Sequence, residues 1–64
     1  MYHVLYDAPD GVRQYCKQAM DWQTAMEMLA LFWENYLGPD GEGKPYPNGK
    51  GFYPYSNPRI VKVN

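Results

Sequence analysis

Few residues in this sequence could act as a nucleophile, a base or a group that orients one. The chain has one histidine (His3), one cysteine (Cys16) and one serine (Ser56). Nucleophilic hydrolysis needs a nucleophile held beside a base, and a third group that orients the base. In the hairpin register that the turn sequence predicts, His3 and Cys16 point to opposite faces, although a shift of one residue would place them opposite each other. We therefore expect a buried thiol, a surface histidine and no enzymatic activity.

The composition gives metals and cofactors little to bind to. A closed zinc site needs four ligands, and His3 and Cys16 are the only strong soft ones. The glycines of residues 38–51 do not form a GxxxxGK[ST] phosphate loop, and no helix is expected after them. The seven acids are spread over a turn, a helix and a loop. We expect no cofactor and no metal.

The elements that must position any site begin with a β-hairpin. Residues 2–6 are rich in β-branched and aromatic side chains, and a strand pattern resumes over residues 12–17 after a Pro-Asp-Gly turn. Such a three-residue loop is a type I turn followed by a left-handed glycine, and it pairs Asp7 with Arg13. The predicted core face carries Tyr2, Val4, Tyr6, Ala8, Val12 and Cys16, with Gln14 as its one misfit. The predicted outer face carries His3, Leu5, Asp7, Arg13, Tyr15 and Lys17.

One amphipathic helix follows the hairpin. Asp21 is a good N-cap, and the Gly38-Pro39 pair ends the helix after about Leu37. At 100° per residue, the apolar side chains share one broad face that we expect to be buried. That face consists of Trp22, Ala25, Met26, Leu29, Phe32, Trp33 and Tyr36. Leu31 projects from the middle of the polar face.

The rest of the chain predicts a loop and one or two strands. Residues 38–51 are rich in glycine and proline, and a loop of this length is often functional or mobile. Residues 52–55 are a candidate edge strand because Pro54 excludes a central place, and residues 59–63 form a last strand. The sequence thus predicts a single α+β domain over residues 1–64. Its architecture is a two-layer sandwich of one helix on a small antiparallel sheet, in the order ββαβ or ββαββ.

Size and composition bound the class of protein. With 64 residues and one cysteine, the chain has no internal disulfide and depends on aromatic packing, an oligomer or both. Neither a secretory signal nor an apolar run long enough to cross a membrane is visible. We therefore expect a cytoplasmic protein without membrane association, in its own cell or in a host cell.

The carboxyl-terminal third of the sequence predicts an alternative role in nucleic-acid or nucleotide binding. All seven acids precede residue 43, with only two basic residues beside them, whereas four basic residues and no acid follow it. Basic residues interleaved with tyrosines suit single strands, through phosphate contact and base stacking. The candidate residues are Lys50, Tyr53, Tyr55 and Arg59. The pI of about 5.6 argues against this role, because nucleic-acid-binding domains usually have a pI above about 9.

Protein binding is the function that the sequence favours. On the predicted outer face of the hairpin, Leu5 and Tyr15 lie side by side, with Ile60 next to them and charged residues at the rim. An apolar centre with a polar rim is typical of interfaces. The candidate partner-binding residues are Leu5, Tyr15, Arg13, Lys17, Leu31, Ile60 and Lys62. The same features would serve a homodimer formed through the sheet edge or the helix.

The size and style of the chain favour one further interpretation. Short, aromatic-rich chains without catalytic residues are typical of accessory proteins of phages and mobile elements. By this analogy we expect a non-enzymatic protein-binding module that inhibits a host protein or defence complex.

Overall fold

The computed structural model describes residues 1–64 and consists of one helix on a three-stranded antiparallel sheet. The elements in chain order are β1 (Tyr2–Ala8), β2 (Gly11–Gln14), α1 (Trp22–Tyr36) and β3 (Ser56–Lys62). The strand order is β2-β1-β3, so the first strand is the central one. The predicted α+β class and the ββαβ order are confirmed. The optional strand over residues 52–55 does not form, and that segment contributes only an isolated bridge between Phe52 and Pro45.

The hairpin register differs by one residue from the predicted register. Tyr6 pairs with Arg13 and Asp7 pairs with Val12, so the loop has two residues instead of three. Gly11 already belongs to β2, with a φ of 127° that only glycine adopts readily. The predicted pairing of Asp7 with Arg13 is therefore wrong.

Aromatic burial explains this register. With the observed pairing, Tyr15 lies on the helix side of the sheet, where its ring centroid is 5.3 Å from that of Phe32. Burying an aromatic ring contributes more than an exposed ion pair, which is typically worth about 0–1 kcal/mol. The shift also moves Val12 from the predicted core face to the outer face, where it is 58% exposed.

Asp7 and Arg13, which were predicted to pair with each other, each have a different partner. Arg13 binds Asp10 in the loop (Nη2 to Oδ2, 2.6 Å), and Asp7 binds Arg59 of β3 (Oδ1 to Nη1, 2.9 Å). These arginine hydrogen bonds are the main reason that the pKa of Asp7 and of Asp10 lies below the usual carboxyl range. In the observed register, Asp7 and Arg13 therefore each still form an ion pair.

The helix has the predicted bounds for a clear chemical reason at each end. The carboxylate of Asp21 accepts a hydrogen bond from the amide of Thr24 at 3.0 Å. Hydrogen bonding to the Thr24 side chain, and secondly to this amide, lowers the pKa of Asp21. At the other end, the amide of Leu37 donates to the carbonyl of Trp33 before Gly38 turns the chain. The predicted N-cap and the predicted end of the helix are confirmed.

The helix packs on β1 and β3, and the core between these layers is small. Four residues are buried: Val4, Ala25, Phe32 and Leu37. The apolar arc of the helix is wider than this contact, so several of its members stay in solvent. The prediction that Trp22, Met26 and Trp33 are core residues is therefore wrong.

The loop over residues 38–51 is folded by its own backbone hydrogen bonds. The amide of Lys44 donates to the carbonyl of Tyr36, and the amide of Tyr53 donates back to the carbonyl of Lys44. Gly43 is required at this crossing, because a Cβ there would lie 1.8 Å from the carbonyl oxygen of Tyr53. The loop thus holds the segment that follows it against the end of the helix.

The helix α1 is neither long enough nor apolar enough to cross a lipid bilayer.

Candidate functional site

The predicted outer-face site of the hairpin does not assemble. Leu5 does lie on the outer face, opposite Gln14 of β2 and Arg59 of β3. Tyr15 instead faces the helix, and so does Ile60, which pairs with the buried Val4. The prediction that Leu5, Tyr15 and Ile60 form one outer patch is therefore wrong, and its cause is the shifted hairpin register together with the face of β3.

The remaining predicted partner-binding residues are dispersed. Arg13 lies opposite Tyr6 and Lys62 opposite Tyr2, and both of these tyrosines point towards the helix. Lys17 is exposed in the bend after β2. Leu31 is 42% exposed on the helix, as its place on the polar face predicted. Arg13, Lys17 and Lys62 therefore do not form the predicted rim around Leu5, whose charged neighbours on the outer face are Asp7 and Arg59.

The predicted nucleic-acid residues are largely occupied by contacts within the protein. Arg59 donates to the carboxylate of Asp7 and to the carbonyl of Asn57. The rings of Tyr53 and Tyr55 are half-buried and pack edge-on against Tyr36, at centroid distances of 5.0 and 5.5 Å. Lys50 is exposed in the loop.

Those tyrosines belong to a larger group of packed rings, which we call the aromatic cluster. Its members are Tyr6, Tyr15, Phe32, Tyr36, Tyr46, Tyr53 and Tyr55. Phe32 is its buried centre, and burial raises the pKa of Tyr36 above the usual tyrosine value. The cluster extends a core that would otherwise be too small for a chain of 64 residues.

The catalytic candidates do not form a couple. The observed register is the one that would place His3 opposite Cys16, but β2 ends at Gln14 before the pairing reaches them. The side chain of Gln14 bonds to the carbonyls of Cys16 and Lys17 and holds the bend. His3 Nδ1 is enclosed and has no hydrogen-bond partner, so no bond from this nitrogen activates the thiol. Cys16 is half-buried, and no three metal-ligating side chains are grouped anywhere in the protein.

The most distinctive surface of the molecule is a row of apolar side chains along the helix. Trp22 is 52% exposed, Met26 is 50% exposed and Trp33 is 41% exposed. Spacings of four and eleven residues place the three side chains on one side of the helix, with Ala30 between the last two. We call these four residues the helix stripe.

The two indole rings of the helix stripe rest on the protein and are not free in solvent. The ring of Trp22 meets Tyr2 edge-on, at a centroid distance of 5.2 Å. Trp33 lies over the backbone of Gly41, where an added Cβ would be 3.5 Å from the indole. One side of each ring is thus supported while the other side faces water, which suits a preformed contact surface.

Carboxylates follow the helix stripe along its length, and a lysine lies near each end of it: Lys44 at the backbone of Glu34, and Lys62 opposite Tyr2. At 100° per residue, Glu27 and Glu34 form a second row along the solvent side of the stripe. Residues 18–43 contain five acids and no lysine or arginine. The ammonium of Lys44 donates a hydrogen bond to the backbone carbonyl of Glu34 at 2.6 Å. The stripe is therefore an apolar row bordered by carboxylates.

The wide apolar arc of the helix predicts this element as a second candidate binding surface, but the sequence prediction did not identify the residues that form it. The apolar arc of the helix runs from Phe32 through Ala25 and Trp22 to Met26 and Ala30. At 100° per residue it spans about 160°, whereas a surface helix needs a core face only roughly 100° wide. An arc this wide predicts that one margin remains in solvent. Only the structure shows which margin, because the sheet determines where the helix is covered.

No protein-family model matches the chain, and no curated protein and no solved structure shows significant similarity to it.

Proposed function

We propose that this domain is a non-enzymatic protein-binding module and that the helix stripe is its contact surface. The observation that supports this proposal is the exposure of both tryptophans of the chain, together with a methionine, in one row on a rigid helix. Tryptophan and methionine are enriched in interfaces, and tryptophan is the commonest residue among those that dominate binding energy.

The energetics of the helix stripe favour a protein partner. Apolar surface left in water forfeits about 25 cal/mol for each Å² that a partner would cover. The chain has only four buried residues, so its stability would gain more from burying Trp22 and Trp33 than from exposing them. A partner that covers these rings supplies the burial that the small core does not.

The alternative of nucleic-acid binding has weaker support. The tyrosines that would stack on bases are packed in the aromatic cluster, and Arg59 is bound to Asp7. The helix stripe itself is bordered by carboxylates, which repel phosphate. Inhibition of a host complex stays a prediction from size alone.

The proposal can be tested by affinity capture from cell lysate with nuclease, comparing the wild type with Met26→Glu and Val12→Glu. Met26 and Val12 are both exposed apolar residues, at 50% and 58%, but Val12 lies on the outer face of the sheet. Both variants should keep the fold, because substitutions at such surface sites usually change stability by less than about 0.5 kcal/mol. We expect a nuclease-resistant protein partner that is lost with Met26→Glu and retained with Val12→Glu.

Two results would contradict the proposal. Capture that survives Met26→Glu but not Val12→Glu would place the contact on the outer face of the sheet. Nuclease-sensitive capture that is lost when Lys50 and Arg59 are changed to alanine would support nucleic-acid binding instead.

A further inference from the structure

The charge pattern around the helix stripe identifies the chemistry of its partner, if the stripe is the contact surface proposed above. We propose that the helix stripe binds a basic amphipathic helix, whose apolar face covers the two indoles and whose lysines or arginines pair with the row of carboxylates. This inference rests on the proposed function and goes beyond it by naming the class of partner.

The carboxylates are placed to select charge. Glu27 and Glu34 are seven residues apart, so they stand in one row about 10 Å long, parallel to the apolar row. Both residues are exposed, and neither side chain forms an ion pair within the protein. A partner helix with basic residues at the same spacing could pair with both carboxylates at once, and complementary charge gives specificity and faster association.

The length of the helix stripe matches a partner helix of about three turns. Eleven residues separate Trp22 from Trp33, which corresponds to about 16 Å along the axis. Apolar side chains at helical spacing on a partner would meet such a row by ordinary helix-on-helix packing. Met26, at the middle of the exposed row, is flexible and can adapt to different apolar side chains.

A second copy of this chain is a poor occupant of the same surface. In a two-fold symmetric dimer the same patch of both copies meets itself. Here the carboxylates of Glu27 and Glu34 from both copies would be brought together, while the ammonium of Lys44 is already bonded to the backbone carbonyl of Glu34. Like charges brought together at an interface are unfavourable.

The two tryptophans provide a direct readout, because the chain has no others and both belong to the helix stripe. Two designed helical peptides serve as probes: one built from leucine and lysine, and one with the same leucines and glutamate in place of lysine. We expect the leucine–lysine peptide to shift the tryptophan emission to shorter wavelength and to bind saturably, with affinity that falls several-fold as salt rises. The leucine–glutamate peptide should bind at least tenfold more weakly.

A charge reversal sharpens the test. The double variant Glu27→Lys and Glu34→Lys should reverse the preference between the two peptides, because only the sign of the row changes. Asp10→Lys is the control for a charge reversal away from the helix, since Asp10 is exposed in the hairpin loop and the substitution breaks only its exposed ion pair with Arg13. This control should keep the wild-type preference.

Three results would overturn the inference, and the measurements distinguish them from one another. Equal binding of both peptides would mean that the stripe does not select charge. Failure of both peptides, while a cellular partner is still lost with Met26→Glu, would reject the basic helix and retain the proposed function. Self-association in sedimentation that is abolished by Met26→Glu would make a second copy the occupant.

Discussion

The aromatic cluster and the helix stripe are built on the same helix from similar side chains, yet one is packed and the other faces water. Phe32 and Tyr36 lie among rings from β1, from the bend after β2 and from the segment before β3. Trp33 lies between these two residues in the sequence and is 41% exposed. Rotations of only about 100° and 60° around the helix separate Trp33 from Phe32 and from Tyr36, respectively.

The difference shows that coverage, more than hydrophobicity, decides which apolar residues form the core of a small domain. The sheet covers one side of the helix, and the loop at 38–51 brings Tyr53 and Tyr55 over its carboxyl-terminal end. Neither the sheet nor this loop buries Trp22 and Met26, which stay 52% and 50% exposed. The cluster is therefore expected to determine stability, and the helix stripe to determine binding.

The largest expected effect comes from removing the centre of the aromatic cluster. Phe32→Ala should cost about 3–5 kcal/mol, as burial and a cavity are both lost. That is comparable to the whole stability of a domain of this size, so the variant should be largely unfolded at room temperature. Met26→Ala on the helix stripe should change the free energy of unfolding by less than about 0.5 kcal/mol.

Thermal and urea denaturation followed by circular dichroism would measure both variants. If Met26→Ala were as destabilising as Phe32→Ala, the proposed division between the cluster and the stripe would be wrong.

An intermediate effect is expected where the loop crosses the segment that carries Tyr53. Gly43→Ala introduces a Cβ into the space of the Tyr53 carbonyl, and backbone cannot move aside as a side chain can. The cost should be at least about 1–3 kcal/mol, with loss of the packing of Tyr53 on Tyr36. Gly38→Ala is the control, because its Cβ would lie 3.3 Å from the carboxylate of Asp40 and at an ordinary contact distance of 3.7 Å from the carbonyl oxygen of Glu42.

Chemical denaturation, with near-ultraviolet circular dichroism to report on the tyrosines, distinguishes these two glycine variants. Equal stability of Gly43→Ala and Gly38→Ala would show that the crossing does not hold the cluster together.

Several elements of this fold were predictable because local chemistry determines them. Asp21 caps the helix, and the helix ends at Leu37, where the backbone becomes extended just before the Gly38-Pro39 pair. The class and the order of elements follow from those signals and from the strand patterns. The hairpin register was not predictable from the charges of Asp7 and Arg13, because each of them has another partner in the folded protein.

The candidate site was less predictable than the fold. Leu5 and Leu31 are placed as expected, but Tyr15 and Ile60 face the helix. Their faces depend on the register of two strand pairs, and a slip of one residue reverses every side chain of a strand. The exposure of Trp22 depends on the width of the sheet, which no local pattern encodes.

The smallest effect concerns the ionisation of the cluster. The pKa of Tyr36 is raised by burial, so the folded state keeps the neutral phenol at a pH where the unfolded chain, with an ordinary value of 10.0, loses its proton. The contribution of Tyr36 to stability is therefore fully present below pH 10, and it is lost as the pH rises through the higher pKa of the folded state.

Tyr36→Phe should accordingly leave stability near pH 7 almost unchanged and make the loss above pH 10 less steep. Denaturation midpoints of the wild type and Tyr36→Phe between pH 7 and 11 would show this. Parallel curves over the whole range would mean that Tyr36 is no more shielded than an exposed tyrosine.

The central position of β1 in the sheet also determines when the sheet can form during synthesis. Tyr2 pairs with Lys62, so β1 receives one of its two neighbours only when β3 has been synthesised. Until then, β1 offers an open edge on that side, and the loop to be closed spans most of the domain. Formation of the sheet must therefore await synthesis of β3, and a nascent chain stalled before β3 presents an unpaired central strand that invites aggregation or capture by a chaperone.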